Sequence, residues 1–229
     1  MIHKYRLGKV FKMTHTMIRY FVICILFLGV GRNMCGAVEP TDIINRVQQR
    51  YAAGDFEADF FQESHLKAME MVDTARGHLY FGRPGTMRWH YQAPDEYFII
   101  SDGETVWIYR PEDNQVMVGR AAEYFGDAKG ADYLSRPGHL TRDFVLSLAP
   151  EELQEEELYV LRLVPKKEMP GLTELYLFIS KKDFDIAKAV TLNSFGDRTV
   201  LRFDNYQFSR GLNPSLFSFK IPNGADVLR

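Results

Sequence analysis

Residues 74–91 read Thr74-Ala75-Arg76-Gly77-His78-Leu79-Tyr80-Phe81-Gly82-Arg83-Pro84-Gly85-Thr86-Met87-Arg88-Trp89-His90-Tyr91. Arg83-Pro84-Gly85 is a turn signal between two strand-like runs. Centring the reversal on Pro84 sets the register. Phe81 then faces Met87, Leu79 faces Trp89 and Gly77 faces Tyr91. On the opposite face Tyr80 meets Arg88 and His78 meets His90. Apolar meets apolar and polar meets polar, so the stretch predicts an antiparallel hairpin.

The next hairpin extends it. Asp102-Gly103 is a strong tight-turn signal joining residues 97–101 to 105–110. Here both faces are apolar: Tyr97, Ile99, Val106 and Ile108 on one, Phe98, Ile100 and Trp107 on the other. An antiparallel sheet with one wet face would alternate. Helices or a ligand are therefore expected over the second face.

Outward from these hairpins the pattern stays mostly β. Upstream, Thr41 after Pro40 suggests a helix start, with Ile43, Ile44, Val47 and Tyr51 at helical spacing and Gly54 at its end. Residues 56–60 alternate as a strand, and a loop is expected over 67–73. After a strand at 115–119 the pattern breaks. Residues 120–157 contain Gly126, Gly130 and Pro137-Gly138, then a predicted helix at 139–148. Residues 151–157 hold five acids, read first as a solvated helix end or loop and second as a docking surface for a basic partner. Strands resume at 158–164, 172–180, 186–193, 198–208 and 217–221, mostly with short turns. The reading is a mainly β (α+β) single domain of about eleven strands and two or three helices.

The composition agrees with a globular protein. The chain has 229 residues, 46% hydrophobic and 25% charged, which excludes a wholly disordered or collagen-like protein. A net charge of −2 offers no basic excess for a nucleic-acid backbone. The first 37 residues differ from the rest. They carry Lys4, Arg6, Lys9, Lys12, Arg19 and Arg32 and no acid, then the apolar run of residues 21–30 and small residues at Cys35, Gly36 and Ala37. This reads as a secretory signal peptide cut after Ala37, with Met13 and Met17 as alternative starts. The apolar run is short of the ~20 residues that span a bilayer. Neither Cys24 nor Cys35 has the flanking residues of a lipidation site. Without residues 1–37, 22 basic residues face 30 acidic ones, a charge of −8, and no cysteine remains. The expected mature domain is residues 38–229, held together by core packing alone.

Catalytic motifs are missing. There is no Gly-x-Ser-x-Gly, His-Glu-x-x-His, Gly-x-Gly-x-x-Gly or P-loop. His78 and His90 are expected as a surface pair without a carboxylate on their face, a poor metal site. The residues nominate no metal, no cofactor and no catalytic group.

Taken together, residues 56–118 resemble the LolA family of periplasmic outer-membrane lipoprotein carriers. The resemblance rests on Phe56-Glu57-Ala58-Asp59-Phe60-Phe61-Gln62, on Gly77-His78-Leu79-Tyr80-Phe81, on Arg83-Pro84-Gly85-Thr86-Met87-Arg88-Trp89-His90-Tyr91 with Pro94, and on residues 101–111 with Gln115. Residues 217–222 resemble the family's last strand, and the match is weak over 120–200. The resemblance implies an unclosed antiparallel β-barrel whose concave face is covered by helices acting as a lid. It implies acylated lipoproteins as cargo, an inner-membrane ABC-type lipoprotein release complex as donor and an outer-membrane lipoprotein receptor as acceptor, with the carrier a monomer in the periplasm. It implies that Arg83 holds the empty lid shut. Met87 stands where the family commonly has Phe. Candidate cavity residues are Leu79, Phe81, Met87, Trp89, Tyr91, Phe98, Ile100 and Trp107. A binding or sensor module for another lipid on the same fold is the alternative. A secreted hydrolase is a third possibility for which no residue can be named.

Overall fold

The computed structural model describes residues 38–82, 85–125, 139–169, 171–209 and 211–229. Helix α1 (Pro40–Ala52) comes first. Pro40 lies in the first turn, where the missing N–H has no partner to lose, so the helix starts at Pro40 with Glu39 as cap rather than at a Thr41 cap. Asp42 lies near its positive end and Arg50 near its negative end. Ile43, Ile44, Val47 and Tyr51 form its buried stripe.

Twelve strands follow in one sheet. They are β1 (Asp55–Leu66), β2 (Met71–Phe81), β3 (Met87–Ala93), β4 (Tyr97–Ser101), β5 (Thr105–Arg110), β6 (Gln115–Arg120), β7 (Phe144–Leu148), β8 (Leu158–Pro165), β9 (Glu174–Ser180), β10 (Ile186–Leu192), β11 (Arg198–Ser209) and β12 (Asp226–Leu228). Their order is β12-β6-β5-β4-β3-β2-β1-β11-β10-β9-β8-β7, which leaves β12 and β7 as free edges. Each neighbouring pair is antiparallel except β12 with β6. The sheet is thus unclosed. Among the described residues two short helices, α2 (Ala121–Phe125) and α3 (Leu140–Asp143), interrupt the meander.

The first hairpin has the expected register: Phe81 opposite Met87, Leu79 opposite Trp89, Tyr80 opposite Arg88, His78 opposite His90 and Gly77 opposite Tyr91. The second turn is held by its own polar groups. Asp102 Oδ1 accepts from the N–H groups of Glu104 and Thr105 at 2.9 and 2.7 Å, and Gly103 takes a positive φ of 99°.

Three expectations are corrected. The helix predicted over 139–148 is α3 followed by strand β7. Leu140, Phe144 and Leu148 fit a helical stripe, but ladder bonds to β8 decide the outcome, with Phe144 opposite Pro165 and Leu148 opposite Leu161. The predicted strand at 217–221 is a 3₁₀ turn, Pro214–Phe217, and an irregular crossing segment, followed by β12. Asn213 Oδ1 caps that turn by accepting from Ser215 N–H, and Pro214 favours a turn start over a ladder. The loop expected over 67–73 shrinks to the turn Lys67–Met69, because β1 and β2 keep pairing out to Leu66 opposite Met71.

The main core lies between α1 and one face of the sheet, the concave face. It joins the α1 stripe to Phe56, Phe60, Leu79, Phe81, Trp89, Leu161, Leu163, Leu175, Leu177, Ile179 and Phe203. The opposite face carries a smaller cluster of Ala149, Val160, Phe178, Val190 and Val200. The acid-rich segment folds against this cluster. Gln154 donates to the Ala149 and Val160 carbonyls, and Glu155 pairs at 2.9 Å with Lys188, whose ammonium lies 3.6 Å from the centre of the Phe178 ring. All of these core residues belong to the unit Val38–Arg229, which therefore carries its own core.

Two contacts fix α1 to the sheet. Arg50 makes a bidentate ion pair with Asp185 at 2.8 and 3.2 Å while lying 3.8 Å over the Phe208 ring. The Tyr51 hydroxyl accepts from the buried Ile186 N–H at 3.0 Å, at a point where the β9–β10 register slips. Tyr51→Phe keeps the ring and strands that N–H, so it is expected to cost about 1–3 kcal/mol in chemical denaturation.

Candidate functional site

The antiparallel registers line up rows of side chains across the concave face. One row runs Trp89, Ile99, Ile108, Met117 and Leu228 over five neighbouring strands, β3, β4, β5, β6 and β12. Every member is apolar. Burial falls along it: Trp89 is 5% exposed, Ile99 and Ile108 are half-buried, and Met117 and Leu228 are 48% and 41% exposed. The adjacent row begins with Tyr91 and Tyr97, stacked with ring centroids 4.1 Å apart. Tyr91 donates to Gln62 Oε1 at 3.1 Å, which satisfies its hydroxyl beside the apolar row. Burial pushes the Tyr97 and Tyr124 phenols up, so both stay neutral in this region.

Aromatic contacts stiffen the inner end of the row. Phe60 meets Trp89 and Tyr91 edge-on, each with centroids at 4.8 Å, and Phe56 stacks on Phe81 at 5.0 Å. Gly77 makes this cluster possible. A Cβ there would lie 1.9 Å from the His90 carbonyl oxygen and 3.0 Å from the Phe60 ring. Helix α1 does not reach the outer end of the row in force. Its principal contacts are with β1, β7 and α3. The result is an apolar surface that is closed by packing at one end and progressively open at the other.

The eight sequence-nominated cavity residues divide between the two faces. Leu79, Phe81, Met87, Trp89 and Tyr91 lie in the concave core, each 6% exposed or less. Phe98, Ile100 and Trp107 point to the opposite face, since strand side chains alternate. What covers that second apolar face is the C-terminal segment. Phe219 packs against Tyr109 and Trp107 with centroids at 5.3 and 6.2 Å, Phe217 is buried, and Arg88 lies 4.8 Å over Phe98 while donating to the Leu216 carbonyl. Arg83 lies outside the described residues, as do residues 126–138.

Ile99, Ile108, Met117 and Leu228 escaped the sequence reading. The signal for the first two is present: both belong to one face of the second hairpin. Carrying the register of the first hairpin across to Tyr97, opposite Tyr91, puts that face beside Trp89. Leu228 has no such signal, because its partner strand is distant in sequence.

The histidines are a further correction. His78 does pair across from His90, but it also has carboxylates. His78 Nδ1 lies 2.7 Å from Asp59 Oδ1, and His90 Nε2 lies 2.8 Å from Glu96 Oε1. Hydrogen bonds from Asn205, then His78, hold the Asp59 carboxyl below its ordinary range. Among the described residues no group of three or more His, Cys, Asp or Glu is arranged to hold a metal ion. No helix among them is long and apolar enough to cross a membrane.

Comparison with known proteins places this architecture. Residues 52–220 match the family model described as "Outer membrane lipoprotein carrier protein LolA". An outer-membrane lipoprotein carrier protein of Nitrosomonas europaea is 32% identical over 174 residues, 76% of this chain and 82% of that protein. One from Neisseria gonorrhoeae is 27% identical over 214 residues, 93% of this chain and 97% of that protein. An uncharacterized conserved protein from Thermus thermophilus has the same fold, with a TM-score of 0.55 at 16% identity over 82% of this chain and 98% of that one. A family match over most of the folded domain and relatives of nearly equal length lead to one conclusion: the chain belongs to the LolA family of outer membrane lipoprotein carrier proteins.

Proposed function

We propose that the protein carries lipoproteins through the periplasm by holding their acyl chains on the concave face. The observation that carries this reading is the apolar row from Trp89 to Leu228, whose cover thins toward the free edge of the sheet. Transfer of an acyl chain from water is worth ~0.8 kcal/mol per CH₂. One long chain is therefore worth on the order of 10 kcal/mol gross, and it will not enter water unaided. A dry surface of matching length removes that barrier, with no nucleophile or cofactor.

Release needs an opposing force. Arg83 precedes β3 in the sequence, and in this reading its hydrogen bonds to a helical lid would favour the empty state. Each such charge-assisted bond is worth about 1.5–3 kcal/mol. Residues 1–37 would direct export and be removed. Donor and acceptor would be an inner-membrane ABC-type release complex and an outer-membrane receptor, with the carrier acting as a monomer.

Mass spectrometry of lipid extracted from the exported protein tests the reading. Acylated lipoprotein peptide is the expected ligand, and a different lipid class would favour a sensor or another carrier on this fold. Arg83→Leu is expected to retain that ligand through purification, while loading and release as in the wild type would remove the lid role.

A further inference from the structure

The far ends of β1 and β2 and the β10–β11 turn form an apolar crest. Met69 and Phe195 are 70% and 75% exposed, and Met71 and Val72 are exposed beside them. These are four of the ten large exposed hydrophobic side chains among the described residues, and they include the two most exposed. Pairing of β1 with β11 brings the two tips together. The Lys67 N–H donates to Asp197 Oδ1 at 2.9 Å, and the Lys67 side chain lies against Gly196.

The tips are ordered, not loose. Asn193 Oδ1 accepts from the N–H groups of both Phe195 and Asp197, Asn193 Nδ2 donates to Asp197 Oδ2, and Glu70 closes its turn by donating to the Lys67 carbonyl. A rigid turn presenting Phe to water gains nothing for the fold. Patches of this kind mark interaction sites.

We propose that the crest docks the protein on the surface of a phospholipid bilayer. Two observations favour a bilayer over a protein. The apolar groups cap two protruding turns, a shape suited to entering a fluid interface without a matching pocket. Neighbouring charges nearly cancel, with Lys67 and Arg198 beside Glu70, Asp73 and Asp197, so attachment depends on apolar insertion and not on anionic lipid. Docking would bring the carrier to the membrane surface where acylated cargo leaves or enters the bilayer. This purpose rests on the carrier reading; the crest itself does not.

The test uses residues 38–229, which form the unit with its own core. Cosedimentation with phosphatidylcholine vesicles is expected for the wild type, at low and at high salt alike. Met69→Glu combined with Phe195→Glu should lower the bound fraction by about tenfold or more. Its thermal melt and its binding of a fluorescent fatty acid in vesicle-free buffer should not change. Phe195→Trp should add blue-shifted emission on vesicle addition. A wild type that stays in the supernatant, or a double variant that binds as the wild type does, overturns the proposal. So does a crest that ignores vesicles but whose substitution slows cargo exchange with a detergent-solubilised membrane protein, which would make it a protein-docking surface. A wild type that binds vesicles but no fatty acid would uphold the crest and sink the carrier reading.

Discussion

Gly77→Ala is expected to lower the melting temperature of the protein by about 5–10 °C. The added Cβ would fall 1.9 Å from the His90 carbonyl oxygen and 2.9 Å from its carbon, both backbone atoms of the paired strand. Backbone in mid-ladder cannot yield as a flexible side chain would. Relief must come from moving β2 away from β3, and the Phe60 ring, 3.0 Å from the new Cβ, must shift on its contacts with Trp89 and Tyr91 as well. Overpacking of this kind typically costs 1–3 kcal/mol, and each kcal/mol shifts the midpoint of a domain this size by about 2–4 °C. Gly85→Ala is the comparison: a Cβ there meets nothing within 4 Å, so only its positive φ of 76° is at stake. Scanning calorimetry of both variants measures the difference. A Gly77 variant no less stable than the Gly85 variant would mean that the β2–β3 approach is not tight.

The β2–β3 hairpin was legible because two independent patterns agree there. Alternation assigns the faces, and a reversal centred in sequence on Pro84 fixes the register, so each of the five cross-strand pairs follows. The region 139–148 was not legible for the opposite reason. Leu140, Phe144, Val145 and Leu148 satisfy a helical period, while the pairing that makes 144–148 a strand depends on β8, which follows only after the acid-rich connection 149–157 with no tight-turn signal to announce a hairpin. The sheet edges share this difficulty. β12 is three residues long, and its partner β6 lies more than a hundred positions upstream, with Leu228 opposite Met117. Local pattern carries no information on such contacts.

The site was half legible for a geometric reason. A two-sided apolar hairpin announces two buried faces but does not say which one meets the ligand. Phe98, Ile100 and Trp107 looked like cavity residues because they are large and apolar. Their face is occupied by the protein's own C-terminal segment, through Phe217 and Phe219. Among the described residues, the face whose cover thins toward the sheet edge is the one that Tyr97, Ile99 and Ile108 share with Trp89. The α1 anchors were hidden in the same way. Arg50 and Tyr51 read as an ordinary helix end, yet they reach Asp185 and Ile186, 135 positions away. These two contacts tie α1 to the β9–β10 turn, and its other principal contacts are with β1, β7 and α3.

Ile108→Glu is expected to abolish acyl-chain binding while leaving the fold intact. Ile108 sits at the middle of the apolar row, between Ile99 on β4 and Met117 on β5's other neighbour, β6. It is only half-buried, so in the empty protein a glutamate there can reach water and the domain still folds. A bound acyl chain changes that. It would cover the carboxylate with hydrocarbon, and at neutral pH either burying the unpaired charge or first protonating the group costs several kcal/mol. A penalty of about 3 kcal/mol or more is a loss of affinity of about a hundredfold. The loss should be greatest at neutral pH and shrink as the solution is acidified, because a protonated glutamate is far cheaper to cover. Val145→Glu, on the exposed edge strand β7, adds the same charge away from the row and should bind as the wild type does. Titration with a fluorescent fatty acid, with far-UV circular dichroism to confirm folding, reads both variants. Equal affinity of the Ile108 and Val145 variants would place the acyl chain somewhere other than the row that begins at Trp89.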